Sequence, residues 1–297
     1  MKNILISGLV NTETTVRVRQ FPIEYYPIDY PFFGVDTAAS GVAFNLACAL
    51  STLGDRVTLL SMTGNDFAAS YISNALQERG IATDHIKRQL QQTPSSVVLY
   101  DGTGKRQIYC DLKDIQQAQY SFNEDLLASS DIVIACNTNF NRPLLQRLRA
   151  MGKTVATDVH VLTDIHDAYN RDFMEAANIL FLSDEGIGED YASFLWELAH
   201  TYHSEVIVLG RGSRGAAMYL RSDDTIRQMP AASVGPVVNT VGAGDALFAS
   251  FIHYYSGGVP AVEALQRAQI FAAAKIRVSG AAQGFVTEQE IEQWMVQ

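Results

Sequence analysis

Six short runs rich in Val, Ile and Leu, at residues 4–7, 57–62, 132–135, 154–157, 179–182 and 206–209, are spaced along the chain and alternate with amphipathic segments at 42–53, 67–79, 143–151 and 191–202. The runs are apolar on both faces. A strand of that kind is stable when both faces are covered, which is the situation in a parallel sheet whose crossovers are helices. The pattern predicts an α/β fold with a central, mostly parallel sheet and helices on both faces. At 297 residues the chain lies within the range of one such domain, read here as spanning 1–297. That length buries a large core without help from disulfides or metals.

Three β-prone stretches break the rhythm. Residues 14–18 and 106–110 alternate with period two, and 95–100 is a further run, joined to the latter through a turn at 101–105. Strands with one polar face, outside the βαβ order, predict a small sheet standing off the main body, inserted from about 12–34 and 94–112. A second hairpin is expected between 216–220 and 225–229. After Val238 the chain reads as helical, over 245–255, 261–278 and from Glu288 onward.

Charge and cysteine content narrow the function classes. Lys+Arg number 22 and Asp+Glu 32, a net charge of −10. That balance argues against nucleic acid or an anionic membrane as the main partner, since both require clustered Lys and Arg. No window approaches the ~18 uncharged apolar residues of a membrane span. The N-terminal apolar stretch Ile4–Val10 is short, contains Ser7 and Gly8, and reads as a first strand, not a signal peptide. Cys48, Cys110 and Cys136 are odd in number, far apart and without a Cys-x-x-Cys. This is the pattern of a reducing compartment, and a cytoplasmic location is expected.

The sharpest motif is Asn239-Thr-Val-Gly-Ala-Gly-Asp245, directly before a helical run. Small residues there let a backbone turn present free amides at a helix start, a ready anion site. Asp245 has two readings, a helix cap or a base taking a proton from an attacking hydroxyl. A second motif, Ser40-Gly41-Val-Ala-Phe-Asn45, also opens a helix. Gly41 allows close backbone approach, and Asn45 either meets a polar ligand or faces solvent. The third motif, Gly210-Arg-Gly212-Ser-Arg-Gly215, spells a dinucleotide fingerprint, but a hairpin follows it where that fingerprint requires a helix. A loop that lets a nucleotide lie close to backbone is the better reading. His200 and His203 share a helix face at i, i+3 without a third ligand and read as surface residues. The aromatics Tyr25, Tyr26, Tyr30, Phe32 and Phe33 either pack under a loop or line a ligand or dimer contact.

These pieces, in this order, resemble the ribokinase-like (PfkB) carbohydrate kinase family over nearly the whole chain. The resemblance rests on Gly8-Leu-Val-Asn11-Thr-Glu13, Ser40-Gly41 with Asn45, Gly64-Asn-Asp66, and Asn239 to Asp245. It implies Asp245 as catalytic base, an anion hole of the Gly242, Ala243 and Gly244 amides, and substrate contacts at Asn11, Glu13, Gly41 and Asn45. It further implies ATP and Mg²⁺ as cofactors, and nucleotide contacts are expected at Gly210, Gly212 and Gly215 of the glycine loop and at Ser183. The strands outside the rhythm correspond to that family's lid, which often doubles as a dimer contact. Departures are visible too. Asn239 replaces the first Asp of the signature near the family's monovalent-cation site, which puts that cation in doubt. Ser183-Asp-Glu185-Gly186 stands where Asn-x-x-Glu positions Mg²⁺, so Glu185 or Asp184 is expected to act there through water. Ser40 stands for Gly, Glu13 for Asp, and Asp158-Val-His160 where Asp-x-Asn is common.

The resulting expectation is an ATP-dependent phosphotransferase acting on a hydroxyl of a small sugar and forming a homodimer through its lid. A nucleoside kinase on the same scaffold is the alternative enzyme. A non-catalytic nucleotide- or sugar-binding protein is the alternative class.

Overall fold

A computed structural model describes residues 1–103 and 105–296. In chain order the first half contains β1 (Asn3–Ser7), β2 (Asn11–Arg17), β3 (Val35–Ser40), α1 (Val42–Thr52), β4 (Arg56–Thr63), α2 (Phe67–Gln77), β5 (Ile86–Arg88), β6 (Ser95–Tyr100), β7 (Arg106–Asp111), α3 (Glu124–Ser129) and β8 (Ile132–Ala135). The second half contains α4 (Arg142–Ala150), β9 (Val155–Val161), α5 (Arg171–Ala176), β10 (Ile179–Ser183), α6 (Tyr191–Thr201), β11 (Val206–Gly210), β12 (Ala216–Leu220), β13 (Thr225–Met229), α7 (Ala243–Ser256), α8 (Ala261–Lys275) and α9 (Glu288–Met295).

The expected architecture is present. Nine strands form one sheet in the order β13-β12-β11-β10-β9-β8-β1-β4-β5. Every pair from β11 to β5 is parallel, and the two pairs at the other edge, β11 with β12 and β12 with β13, are antiparallel. Strands β1, β8, β10 and β11 are buried almost throughout, because their aliphatic side chains meet helices on both faces. One face packs against α1, α7 and α8 through Phe44, Phe248, Phe251 and Phe271. The other packs against α4, α5 and α6 through Leu144, Phe173 and Leu195.

The small sheet is separate, with order β3-β2-β6-β7. Its central pair, β2 with β6, is parallel, with Thr12 beside Ser95. The strand β3 completes it by pairing antiparallel with β2, Asn11 beside Ser40. Sequence reading had no strand at 35–40. Its Val-Asp-Thr-Ala-Ala-Ser lacks a run of aliphatic β-formers, and the strand exists because β2 offers it a ladder. Residues 18–34, counted among the inserted strands, form none. In the 101–105 turn, Asp101 N–H donates to the Lys105 carbonyl at 3.1 Å, while Gly104 lies outside the described residues.

Two further expectations are corrected. The helix α6 ends at Thr201, so His203 lies beyond it and does not share a face with His200. The aromatic cluster is not packed under a loop. Tyr25 and Phe32 are 87 % and 84 % exposed, and Tyr30 and Phe33 are exposed beside them. No helix among the described residues is long and apolar enough to cross a membrane.

Candidate active site

The carboxyl ends of β1, β9, β10 and β11 open toward the same side, where α/β sheets bind ligands. The backbone after β1 enters β2 at Asn11. Its side chain is buried and donates through Nδ2 to Ser96 Oγ at 3.1 Å, leaving its Oδ1 buried without a partner. Two residues on, Glu13 is half-buried in the same strand, so its side chain leaves the same face of the sheet as Asn11. Gly41 caps α1 with φ +102, a backbone state that favours glycine. A Cβ there would sit 2.6 Å from the Leu9 carbonyl oxygen. The closeness of these two backbones delivers Asn45, one turn into α1, to the start of α7.

There Asn45 Nδ2 donates to Asp245 Oδ2 at 2.7 Å, while Asn45 Oδ1 is a second buried acceptor without a partner. Buried acceptors of this kind carry a desolvation cost unless a donor arrives, and a substrate hydroxyl is a suitable donor. Asp245 does not cap its helix. The cap position of α7 is Gly242, in the left-handed region at φ 79, and Asp245 lies in the first helical turn. The turn before it is shaped by Asn239, whose Oδ1 accepts from Val241 N–H at 2.8 Å. Gly242 is pressed against the Ala281 backbone, so no side chain fits there.

The three amides assigned to the anion hole are not equivalent. Ala243 N–H donates to the Thr240 carbonyl at 3.2 Å. The Gly242 and Gly244 amides have no acceptor among the described residues and are the ones available to an anion.

Burial of Asp245 raises its pKa, and Asp158 pushes in the same direction, while the Asn45 hydrogen bond, His160 and Lys275 pull it back. Glu13 is likewise raised, by burial and then by Asp245. Asp158 lies within β9, and its Oδ1 accepts from His160 N–H at 2.8 Å. That bond holds His160 at φ 60, a left-handed state unusual for a non-glycine residue. Burial alone would lower the His160 pKa, but the adjacent Asp158 carboxylate lifts it to about 9. The site therefore alternates charge: carboxylates at 13, 158 and 245, cations at 160 and 275.

A second group of residues meets in an open cleft of about 650 Å³ at the ends of β10 and β11. Ser183, Glu185 and Gly212 line it with Arg211 and Arg214. Gly210 and Gly215 frame the cleft without lining it. The Gly210 carbonyl accepts from Asp184 N–H at 3.0 Å, and Gly215 turns the chain into β12 at φ 87. Of the two carboxylates offered for Mg²⁺, Asp184 is already engaged, 2.5 Å from Arg214 and 3.5 Å from Arg211. Glu185 is exposed at the cleft and pairs with no cation among the described residues. A lone carboxylate suits a Mg²⁺ held mainly by phosphates and water, and Glu185 is the residue that fits it.

Among the side chains near Asp245, Lys275 was missed by sequence reading. The signal was a single charge in the otherwise apolar stretch 270–276 near the end of α8.

An α/β sheet with a separate small sheet, two polar asparagines, a buried carboxylate at a helix start and an open arginine-lined cleft is the architecture of a phosphotransferase of the sugar-kinase type. The pfkB family carbohydrate kinase model matches residues 1–288, and the chain belongs to that family. It is 24 % identical over 264 residues to the fructosamine kinase FrlD of Bacillus subtilis (strain 168), covering 87 % of this chain and 89 % of that one. It is 28 % identical over 236 residues to a nucleoside kinase of Methanothermobacter thermautotrophicus, covering 73 % and 72 %. The solved structure of a microbiome-derived acarbose kinase, Mak1, superposes with a TM-score of 0.87 over 100 % of both chains at 23 % identity.

Proposed function

We propose that the protein transfers the terminal phosphoryl of ATP to a hydroxyl of a small sugar, and that the observation carrying this reading is the Asn45–Asp245 pair. A buried carboxylate with a raised pKa, oriented by one neutral amide, is equipped to accept a proton from an alcohol. The Gly242 and Gly244 amides and the positive start of α7 lie beside it, positioned for charge gathering on the transferred group. Asn11, Glu13 and Asn45 offer hydrogen-bonding groups to the other hydroxyls, and Gly41 lets the substrate approach the chain. Ser183, Gly210, Gly212 and Gly215 form the nucleotide side. Mg²⁺, held near Glu185 through water, neutralises phosphate charge when bound. Little covalent chemistry is asked of the protein. The charge of −10 does not oppose this, because the amides are local.

Two named relatives frame the choice of substrate, a fructosamine kinase and a nucleoside kinase. The exposed aromatics at 25–33 are the feature that favours a base-stacking substrate, and the sugar reading is preferred because the groups around Asp245 are polar and charged, suited to hydroxyls. Phosphorylation of a panel of hexoses, pentoses, amino sugars and nucleosides is expected to give turnover on a sugar. Turnover on nucleosides alone selects the second reading. ATP binding without turnover of any panel member supports a binding protein.

The small sheet is proposed to act as a lid and as a dimer contact. Strand β7 is exposed along its whole length, and the exposed Val35, Val97 and Tyr109 share one face of the small sheet while Ile108 leaves the other. Pairing two such faces gives a closed two-fold dimer. Closure over the substrate limits loss of the phosphoryl to water. Sedimentation is expected to show a dimer, and saturating sugar to slow proteolysis within 14–34 and 94–112. A monomer whose cleavage there ignores substrate overturns the lid assignment. The exposed free thiol of Cys110 supports a cytoplasmic location.

A further inference from the structure

Lys275 is 0 % exposed, among the largest side chains fully enclosed in the protein. An ammonium in that position costs free energy unless it is held by charges and acceptors. Its Nζ donates to the Val241 carbonyl, the last carbonyl before the Gly242 cap of α7. Two carboxylates attract it, Asp245 and Glu13. Burial lowers its pKa to about 8 despite them.

The surrounding bonds show what this ammonium grips. Val238 and Asn239 both donate their N–H groups to the Ile276 carbonyl, at 2.8 and 3.1 Å. The loop that aims the free amides is therefore tied at its start to the end of α8 by two neutral bonds. At its finish it is tied to the same helix end by Lys275. Between these ties, Asn239 Oδ1 closes the turn on Val241 N–H, which leaves the Val241 carbonyl pointing to Lys275. A free monovalent cation in this place would need loop carbonyls and a counter-charge. Here the Val241 carbonyl is occupied by an ammonium, and the loop carries neutral Asn239 instead of a carboxylate. The residues present do not fit such an ion.

We propose that the Lys275 ammonium is a cation built into the chain, which holds the anion-hole loop from behind and makes this kinase independent of a monovalent cation. Lys275 is a positioning residue. It touches the loop, and through the loop it sets the direction of the Gly242 and Gly244 amides. Its charge adds to the positive field of the α7 start and favours the ionised form of Asp245. The proposal deepens the kinase reading and rests on it for the activity measurements alone.

The test compares wild type with Lys275→Met, which keeps the bulk, and Lys275→Ala, which leaves space. Each is measured in sodium, potassium and ammonium chloride at equal ionic strength, for turnover and for melting temperature. Wild type is expected to be indifferent to the choice of cation in both. Both variants should lose at least about ten-fold in kcat with a smaller change in KM for ATP. Lys275→Ala, but not Lys275→Met, should regain turnover and melt higher in ammonium or potassium than in sodium. Stimulation of wild type several-fold by potassium over sodium overturns the proposal, as does wild-type turnover in either variant. So does a folded Lys275→Ala that responds to no cation, since that is what a packing role alone predicts. If Lys275→Ala does not fold in sodium, its refolding yield in ammonium is read instead, recovery supporting the proposal and no recovery overturning it. Should wild type phosphorylate nothing, the kinase reading fails, while the melting temperatures still decide the role of Lys275.

Discussion

Replacing Asp245 by asparagine is expected to lower kcat by on the order of 10²-fold or more and to leave the affinity for ATP nearly unchanged. The amide keeps the shape, and its Oδ1 still accepts from Asn45 Nδ2, but it cannot take a proton. The wild-type pH profile gives an independent check. Because burial raises the Asp245 pKa, its carboxylate form is lost, as pH falls, sooner than that of an ordinary aspartate at ~3.9. The acid limb of kcat/KM is therefore expected above that range, and is absent from the residual activity of Asp245→Asn. Linkage adds a stability consequence. A carboxylate whose pKa is raised by folding reduces stability as pH rises from its unfolded to its folded pKa, and that loss persists at neutral pH. Asp245→Asn removes it, so the variant should melt no lower than wild type at pH 7. A variant with near-full turnover would return Asp245 to a structural role at the helix start.

Gly242→Ala is expected to cost turnover about 10²-fold by a different route. A non-glycine residue held at φ 79 costs on the order of 1–3 kcal/mol, and here the new Cβ also collides with the Ala281 backbone. The loop must shift, and the free amides shift with it. Both melting temperature and kcat should fall. Gly244→Ala is the matched control for stability. A Cβ at Gly244 meets no atom within 4 Å, so that variant should melt like wild type. Equal melting temperatures for the two variants would show that the left-handed cap is not required.

The βαβ frame was legible because strands buried on both faces leave uninterrupted aliphatic runs. Residues 132–135 are the clearest case, where run and strand coincide. The hairpin at 216–220 and 225–229 was legible because two β-prone runs flank a short polar turn. The edge elements were not. Strand β5 has three residues, too short to show a period, and β3 is a strand through its pairing more than through its composition. In the candidate site, the local motifs at 40–45 and 239–245 stood out in the sequence, and the resemblance to a known family added Asn11 and the roles of Gly41, Asn45, Gly242 and Asp245. What spacing does not carry is occupancy: that Ala243 N–H is turned to Thr240, that Asp184 is held by two arginines, and that Lys275 reaches Val241. Each depends on a partner from a distant part of the chain or on the exact course of a turn.

The parallel pairing of β2 with β6 bears on how the molecule assembles. Between these two strands the chain builds β3 of the same small sheet and then α1, β4, α2 and β5, and those four belong to the main body or pack upon it. Thr12 therefore meets Ser95 only after those intervening segments have docked and brought the two strands together. Closing so long a loop is entropically costly before the body exists and nearly free of further cost afterwards. The small sheet is thus the late partner in folding, and by the same token the unit that can separate first. Its ladder shares no strand with the nine-stranded sheet, so its amides can exchange with solvent through an opening that leaves the central strands intact.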